Sequence, residues 1–329
     1  MQPEPLPGNE LKVDDTSVCP TIGNAVVMGS TVELNTVYHE MNVDTMARMA
    51  DNSVDLVMTS PPYAEARKAT YGGVCADEYV EWFKPIAKEI YRILKPSGSF
   101  ILNIGDNTID GETHLYTFEL PIMLKRELGF KFIDPLIWHK KNPAPGKFKN
   151  RFKDGWEFCY HFSKTLDLKF NPYAVASQTQ QQSLARALRQ KDDANGKSLT
   201  GSGFTTAAGT IKKNIEKRRE RNNNSGVGTI DENFTDLEMA LPSNVLHLSG
   251  ETTNVGHPAP YPTEIPAFFI KAFTDEGDLV YDPFFGSGTT GEVCLRMNRN
   301  FIGSEMKAEY IPVSNERLRP YKLSLFSGV

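Results

Sequence analysis

The sequence predicts an α/β protein: a mostly parallel sheet with helices on both faces, and a smaller region inserted between its two halves. Three observations carry that expectation. Short apolar runs alternate with helix-period segments over residues 26–165 and again over 246–329. Between them, over 166–245, large apolar residues thin out and Gln, Asn, Ser and Gly take their place. Near the C-terminus a glycine-rich turn joins a predicted strand to a predicted helix, the kind of place where open α/β sheets hold ligands.

Residues 1–25 read as a flexible arm, proline-rich, acidic and without apolar periodicity. Val54-Asp-Leu-Val-Met-Thr is largely apolar and ends in Pro-Pro, which suits a buried parallel strand. Tyr79, Trp82, Phe83, Ile86, Ile90, Ile93 and Leu94 recur at helical spacing. This helix begins after Asp77-Glu78 and is expected to stop at Lys95-Pro-Ser-Gly. Ser99-Phe-Ile-Leu-Asn-Ile is the next strand, and the strand–helix–strand order argues for a right-handed βαβ unit. Two further strands are expected over Phe132–Trp138 and Glu157–Phe162. After the inserted region, Ile265, Phe268, Phe269, Ala272 and Phe273 mark a helix and Asp278-Leu-Val-Tyr a strand. Val293, Cys294 and Met297 mark a second helix, and Asn300-Phe-Ile-Gly a second strand.

Composition narrows the function. Of 329 residues 40% are hydrophobic and 23% charged, enough for a large core and too apolar for wholesale disorder. Thirty-six Lys plus Arg against 41 Asp plus Glu give a net charge of −5, which excludes a globally basic binder but not a local basic face. The cysteines, Cys19, Cys75, Cys159 and Cys294, form no C-x-x-C pair and suit a reducing compartment. The start has neither a basic n-region nor an apolar h-region, and no apolar window reaches membrane-spanning length. A cytoplasmic protein is expected.

Asp282-Pro-Phe-Phe-Gly-Ser-Gly-Thr-Thr-Gly is the most informative turn. Gly286, Gly288 and Gly291 satisfy G-x-G-x-x-G, and Glu305 falls 19 residues after Gly286 at the end of the next strand. That pattern suits a dinucleotide, with backbone close to the ligand, a helix amino end and a carboxylate for ribose hydroxyls. It suits S-adenosyl-L-methionine equally, with Asp282 free to hold an ammonium group. A tight turn without a ligand is the bland alternative, disfavoured because strand, turn, helix and acid all agree. The turn signals a nucleoside cofactor and does not choose which.

Thr59-Ser60-Pro61-Pro62-Tyr63 makes the choice. Two prolines pin the backbone and remove two N–H donors, leaving carbonyls without competing local bonds. Ser60 accepts as well as donates, and Tyr63 offers a flat aromatic face. This inventory suits the exocyclic amine of a nucleobase, whose lone pair is delocalised into the ring. Acceptors around its hydrogens favour the tetrahedral form, while Tyr63 stacks on a base drawn out of the duplex. A bare proline turn with a surface Tyr would be the simpler reading if the cofactor signature were missing.

These motifs resemble the amino-methylating DNA methyltransferases that act on cytosine N4 or adenine N6. The order matches their β group: Pro-Pro-Tyr turn first, then a variable recognition region, then the cofactor motif. The resemblance spans roughly 36–165 and 250–315. It implies a Rossmann-like methyltransferase fold, S-adenosyl-L-methionine as methyl donor, no metal and no covalent intermediate. Ser60, Pro61, Pro62 and Tyr63 then carry catalysis. Asp282, Phe284, Gly286, Ser287, Gly288 and Thr289 form the cofactor loop, Glu305 holds the ribose hydroxyls, and His257 and Pro258 belong to the segment closing over the methionine end. The strands from Trp138 and Trp156 resemble those lining the target pocket. Ser-Pro-Pro-Tyr is more typical of cytosine N4, and Asp- or Asn-Pro-Pro-Tyr of adenine N6. Where the family usually has Gly-Asp after the aromatic matching Tyr38, this chain has Glu40-Met41. Cytosine-5 enzymes need an attacking thiolate after a proline and a Glu-Asn-Val segment, and neither occurs.

With double-stranded DNA as partner, the inserted region becomes a recognition module. Between Arg186 and Arg221 it holds ten Lys plus Arg against four acids. Lys212, Lys213, Lys217, Arg218, Arg219 and Arg221 are candidate phosphate contacts, with Lys140 and Lys141 flanking the cleft. A solvated charge run is the simpler reading of either set taken alone. A cognate restriction endonuclease is implied by the resemblance alone, and monomer or homodimer is left open. His139, His161 and His257 lack metal-ligand spacing. The rivals are adenine N6 methylation on the same scaffold, a nicotinamide-dependent oxidoreductase that leaves Pro-Pro-Tyr idle, and a non-catalytic DNA-binding protein with a degenerate fold.

Overall fold

The structure, a computed structural model, describes residues 31–64, 73–109, 111–143, 149–175, 242–248 and 262–327. Its centre is β2 (Val54–Thr59), whose six residues are all buried. A strand without a polar face needs cover on both sides, the parallel-sheet situation. β2 lies between β3 (Leu94–Ile104) and β9 (Leu279–Asp282), parallel to both. Beyond β9 come β10 (Asn300–Ser304) and β1 (Thr36–Tyr38), again parallel. Beyond β3 the direction reverses. β7 (Trp156–Ser163) pairs antiparallel with β3, β6 (Lys131–Lys140) antiparallel with β7, and β8 (Val245–Leu248) parallel with β6. The eight-stranded order is β1-β10-β9-β2-β3-β7-β6-β8. A two-stranded ribbon, β4 (Thr108–Ile109) with β5 (Glu112–Thr113), stands apart.

Helices cover both faces, as expected. On one, α1 (Asn42–Ala47), α2 (Tyr79–Ile93) and α3 (Tyr116–Arg126) pack Met46, Phe83, Ile90 and Leu120 against Val57, Phe100 and Tyr281. On the other, α4 (Glu264–Phe273), α5 (Thr289–Arg296) and α6 (Tyr310–Ser327) pack Ile265, Phe269, Val293 and Leu318 against Leu56, Met58, Val280 and Phe301. Strand alternation sends successive β2 side chains to opposite cores. Because β2 and β3 come from the first half of the chain and β9 and β10 from the second, the halves share one sheet.

Most predicted elements stand where their patterns put them; three details differ. The helix over 79–93 does not end in a free turn: β3 begins at once at Leu94, and the ladder to β2 slips between Val54 and Leu56. The slip lets Lys95 reach back to buried Asp55, meeting both carboxylate oxygens at 2.8 Å, while the Leu279 amide donates to the same group at 3.0 Å. One carboxylate thus ties β2, β3 and β9 together. Second, the strands over 131–140 and 156–163 are antiparallel neighbours, so the sheet is mixed at that end. Third, β1, α1, α3, α6, β8 and the β4–β5 ribbon were not among the predicted elements. α3 contains Pro121 and exposes Leu115, Phe118 and Ile122 around its start and outer side, which blurs any apolar stripe. The proposed arm and most of the inserted region, 176–241, lie outside the described residues. Among the described residues no helix is long and apolar enough to cross a membrane.

Candidate active site

Because β1, β10, β9, β2 and β3 are parallel and β6 points the same way, their carboxyl ends meet at one edge of the sheet. A cavity of about 690 Å³ opens there. Ser60, Pro61, Pro62 and Tyr63 line it from the end of β2, and Pro283, Phe284 and Gly286 from the end of β9. Glu305, Met306 and Lys307 reach it from β10, Glu40 to Val43 from β1, and Trp82, Pro85 and Ile86 from α2. Asn103, Trp138, Lys140 and Glu157 close the side toward β3, β6 and β7. The proline corner and the glycine turn, more than 200 residues apart in sequence, share one space.

The proline corner is held from behind. The Tyr79 hydroxyl donates to the Pro62 carbonyl at 2.8 Å. The Tyr63 ring packs so closely on Gly105 that a Cβ there would lie 2.8 Å from it. The Tyr63 hydroxyl donates to Glu157 Oε2 at 2.7 Å and lies 3.4 Å from Ser60 Oγ. Asn103 Nδ2 donates to the same carboxylate oxygen at 3.1 Å, and Lys140 pairs with the other. Burial first, then the charge of Glu157, pushes the Tyr63 phenol well above its ordinary range, so it stays a neutral donor.

Sequence motifs alone did not single out Glu157. It sits on a strand expected to line the pocket, and only the β6–β7 register brings Lys140 and Trp138 beside it. Lys140, expected on the DNA flank, instead turns into the cavity and lies 5.2 Å from the Trp138 ring centroid. Lys141 is exposed and does not line the cavity.

The glycine turn is built by its own side-chain bonds. Gly286 has φ 53° and Gly288, the residue before α5, φ 84°, conformations in which an L side chain is strained. Asp282, expected at a ligand ammonium, does not line the cavity. It is 2% exposed, and its carboxylate accepts from Thr59 Oγ1 at 2.8 Å, the Phe284 amide at 3.1 Å and Thr290 Oγ1 at 2.6 Å. Asp282 is therefore the clasp between β2 and the turn. Ser287 and Thr289 sit behind the turn, each accepting from Arg317 through its hydroxyl, at 2.9 and 2.8 Å. Gly288 likewise lies outside the cavity wall.

Glu305 does face the cavity. Its carboxylate accepts the Gly286 amide at 2.8 Å and the Lys307 amide at 2.7 Å, yet burial raises its pKa. At the Glu40-Met41 departure, Glu40 pairs with Arg48 and accepts from Thr45 Oγ1 at 2.7 Å. Met41 is half exposed at the rim, and Asn42 Nδ2 reaches the Pro283 carbonyl at 3.3 Å. His257, Pro258, Lys212, Lys213, Lys217, Arg218, Arg219 and Arg221 lie outside the described residues. His161 is in the core against Phe273 and Ser99. Among the described residues no three His, Cys, Asp or Glu side chains gather as metal ligands.

Comparison with known proteins gives consistent likenesses. The model of an N6/N4 DNA methylase family matches residues 54–316. The type II methyltransferase M.PvuII of Proteus hauseri is 31% identical over 303 residues, covering 86% of this chain and 83% of that one. The orphan methyltransferase M.BamHII of Bacillus amyloliquefaciens is 29% identical over 280 residues, covering 83% and 91%. Among solved structures, the cytosine-N4-specific PvuII DNA methyltransferase superposes with a TM-score of 0.62 at 27% identity, covering 86% of this chain and 85% of that one. TTHA0409 of Thermus thermophilus, solved in complex with S-adenosyl-L-methionine, gives a TM-score of 0.54 at 20% identity, covering 87% and 93%, a likeness of fold alone.

Proposed function

The chain belongs to the N6/N4 DNA methylase family, and from that premise we propose that it methylates the N4 amine of cytosine at a short site in duplex DNA. The methyl donor in this reading is S-adenosyl-L-methionine, and the base is drawn out of the helix for direct transfer. The observation that carries it is the single cavity walled on one side by Ser60–Tyr63 and on the other by Phe284, Gly286 and Glu305.

The wall chemistry favours a sulfonium nucleoside over a dinucleotide. The amides of Phe284, Phe285, Gly286 and Gly288 are all bonded within the protein, so they form no anion cradle for a pyrophosphate. The Glu305 carboxylate would oppose a phosphate beside it, while Trp82, Phe284 and Met41 offer apolar cover for a flat ring. S-adenosyl-L-methionine, when bound, supplies a methyl group on positive sulfur that needs only an aligned lone pair.

The remaining work falls to this chain. Glu305 offers its carboxylate oxygens to ribose hydroxyls, and Gly286 lets the backbone approach. Asp282 acts at one remove, clasping the turn to β2. Ser60 Oγ and the Pro61 carbonyl accept hydrogen bonds from the amine hydrogens, favouring a tetrahedral nitrogen, and after transfer the amine releases its surplus proton to water. Tyr63, fixed through Glu157, gives the base a rigid face. Such positioning and hydrogen-bond acceptance need no attacking nucleophile. The inserted region, with Arg218 and Arg219 among its cations, supplies phosphate contacts, and a cognate endonuclease is the partner expected of a restriction system.

Cytosine is favoured by Ser60 at the head of the Pro-Pro-Tyr turn and by likeness to a cytosine-N4-specific enzyme. The test is to incubate duplex DNA with methyl-labelled S-adenosyl-L-methionine, digest to nucleosides and identify the labelled base. N4-methylcytosine is expected. N6-methyladenine would overturn the base assignment, and unlabelled DNA the whole reading.

A further inference from the structure

Residues 141–155 connect β6 to β7 and carry five Lys or Arg, at 141, 147, 149, 151 and 153, against one acid, Asp154. The connection springs from the cavity wall, because Lys140 and Glu157, which line the cavity, stand at its two ends. Its described part is anchored. The Lys140 amide donates to the Gly155 carbonyl at 2.8 Å, Asn150 Nδ2 donates to the Gly111 carbonyl at 2.8 Å, and Arg151 pairs with Asp154. Asp106, next to the Gly105 that packs on Tyr63, has its carboxyl raised first by burial and then by Asp154, with Arg151 opposing. Its described part is thereby tied to the β4–β5 ribbon, beside which Asn107 Nδ2 donates to the carbonyl of Ala64, the residue after Tyr63, at 2.8 Å.

Within it stands Phe152, 96% exposed, between Arg151 and Lys153. A lone surface aromatic is ordinary. This one is held on an anchored backbone, flanked by cations, in the connection between two strands whose Lys140 and Glu157 line the cavity. Among the described residues Lys141, Lys149 and Lys153 form no ion pair, so their charges are available to an anionic partner. Duplex DNA combines the two demands, offering phosphates to the lysines and a stack of flat apolar faces to the ring.

Resting on the reading that a base is drawn out of the helix, we infer that Phe152 is a wedge that enters the base stack at the place the target leaves, while Lys141, Lys149 and Lys153 hold the flanking phosphates. Extruding a base breaks two stacking contacts, and a flat ring in the gap restores part of that loss.

The test compares the full-length wild type with Phe152→Ala and Phe152→Trp on two duplexes bearing the methylated site. One is fully paired; in the other the nucleotides opposite the target and its two neighbours are abasic, so the target is already unpaired and only weakly stacked. On paired DNA, Phe152→Ala should turn over roughly 10- to 100-fold more slowly, the range expected when a few kcal/mol of unstacking goes uncompensated. On the abasic duplex it should match the wild type within a few-fold, and Phe152→Trp should retain activity on both. Equal loss on both duplexes, or no loss on paired DNA, overturns the wedge. Failure of the wild type to label either duplex would instead overturn the underlying function.

Discussion

At the residue scale, the corner is governed by a carboxylate with three donors on it. Glu157 is bonded by Tyr63, Asn103 and Lys140 at once, which fixes the tyrosine ring and places a cation beside it. An amide in its place offers one acceptor and two donors, so it cannot satisfy all three. Glu157→Gln should therefore lower kcat by about 10- to 100-fold, the scale of a misplaced reacting group, with affinity for S-adenosyl-L-methionine held within a few-fold. Ser60→Ala should act likewise on kcat alone, read by single-turnover methylation alongside equilibrium binding. An unchanged rate in either variant removes that residue from the proposed mechanism. The proline corner was legible because Ser-Pro-Pro-Tyr is contiguous. Glu157 was not, because its partners come from β2, β3 and β6, and only strand register assembles them. Asp282 shows the complementary case: its position was legible, but both oxygens are spent on the turn's own framework.

At the element scale, the strongest patterns were the readable ones: β2 as an unbroken apolar run, α2 as a helical stripe, and the strand–turn–helix from β9 to α5. Elements stabilised mainly by neighbours, such as α3 and the edge strand β8, left little trace. The β3–β7 pairing makes its own prediction. His161 on β7 lies opposite Ile101, its Nε2 3.0 Å from Ser99 Oγ and its ring 4.4 Å from that of Phe273. Burial lowers its pKa from 6.5 to about 3. Below pH 6.5 the unfolded chain takes up a proton that the folded chain refuses until about pH 3. The stability this neutral histidine allows is thus complete above pH 6.5 and declines as pH falls toward 3, by on the order of a few kcal/mol over the window. Thermal melts from pH 7 to pH 4 should show a shallower decline for His161→Gln than for wild type. Parallel slopes would show that His161 is not the group responsible.

At the scale of the whole molecule, a cavity walled by β1, β2, β9 and β10 together exists only in the folded chain. A ligand seated there binds the native state and not the unfolded one, and so stabilises the entire sheet by mass action. At a hundredfold excess over its dissociation constant, S-adenosyl-L-methionine should add about 2.7 kcal/mol. For a chain of this size that corresponds to a rise in Tm of roughly 4 °C. NAD at equal concentration should produce no rise, since the Phe284 and Gly286 amides are already occupied and the Glu305 carboxylate faces the space. Gly286→Val provides the control. A β-branched side chain at φ 53° distorts the turn at the cavity wall, so the variant should melt lower than wild type and lose the ligand-induced rise. A larger rise with NAD than with S-adenosyl-L-methionine would return the glycine turn to the dinucleotide reading that its spacing alone left open.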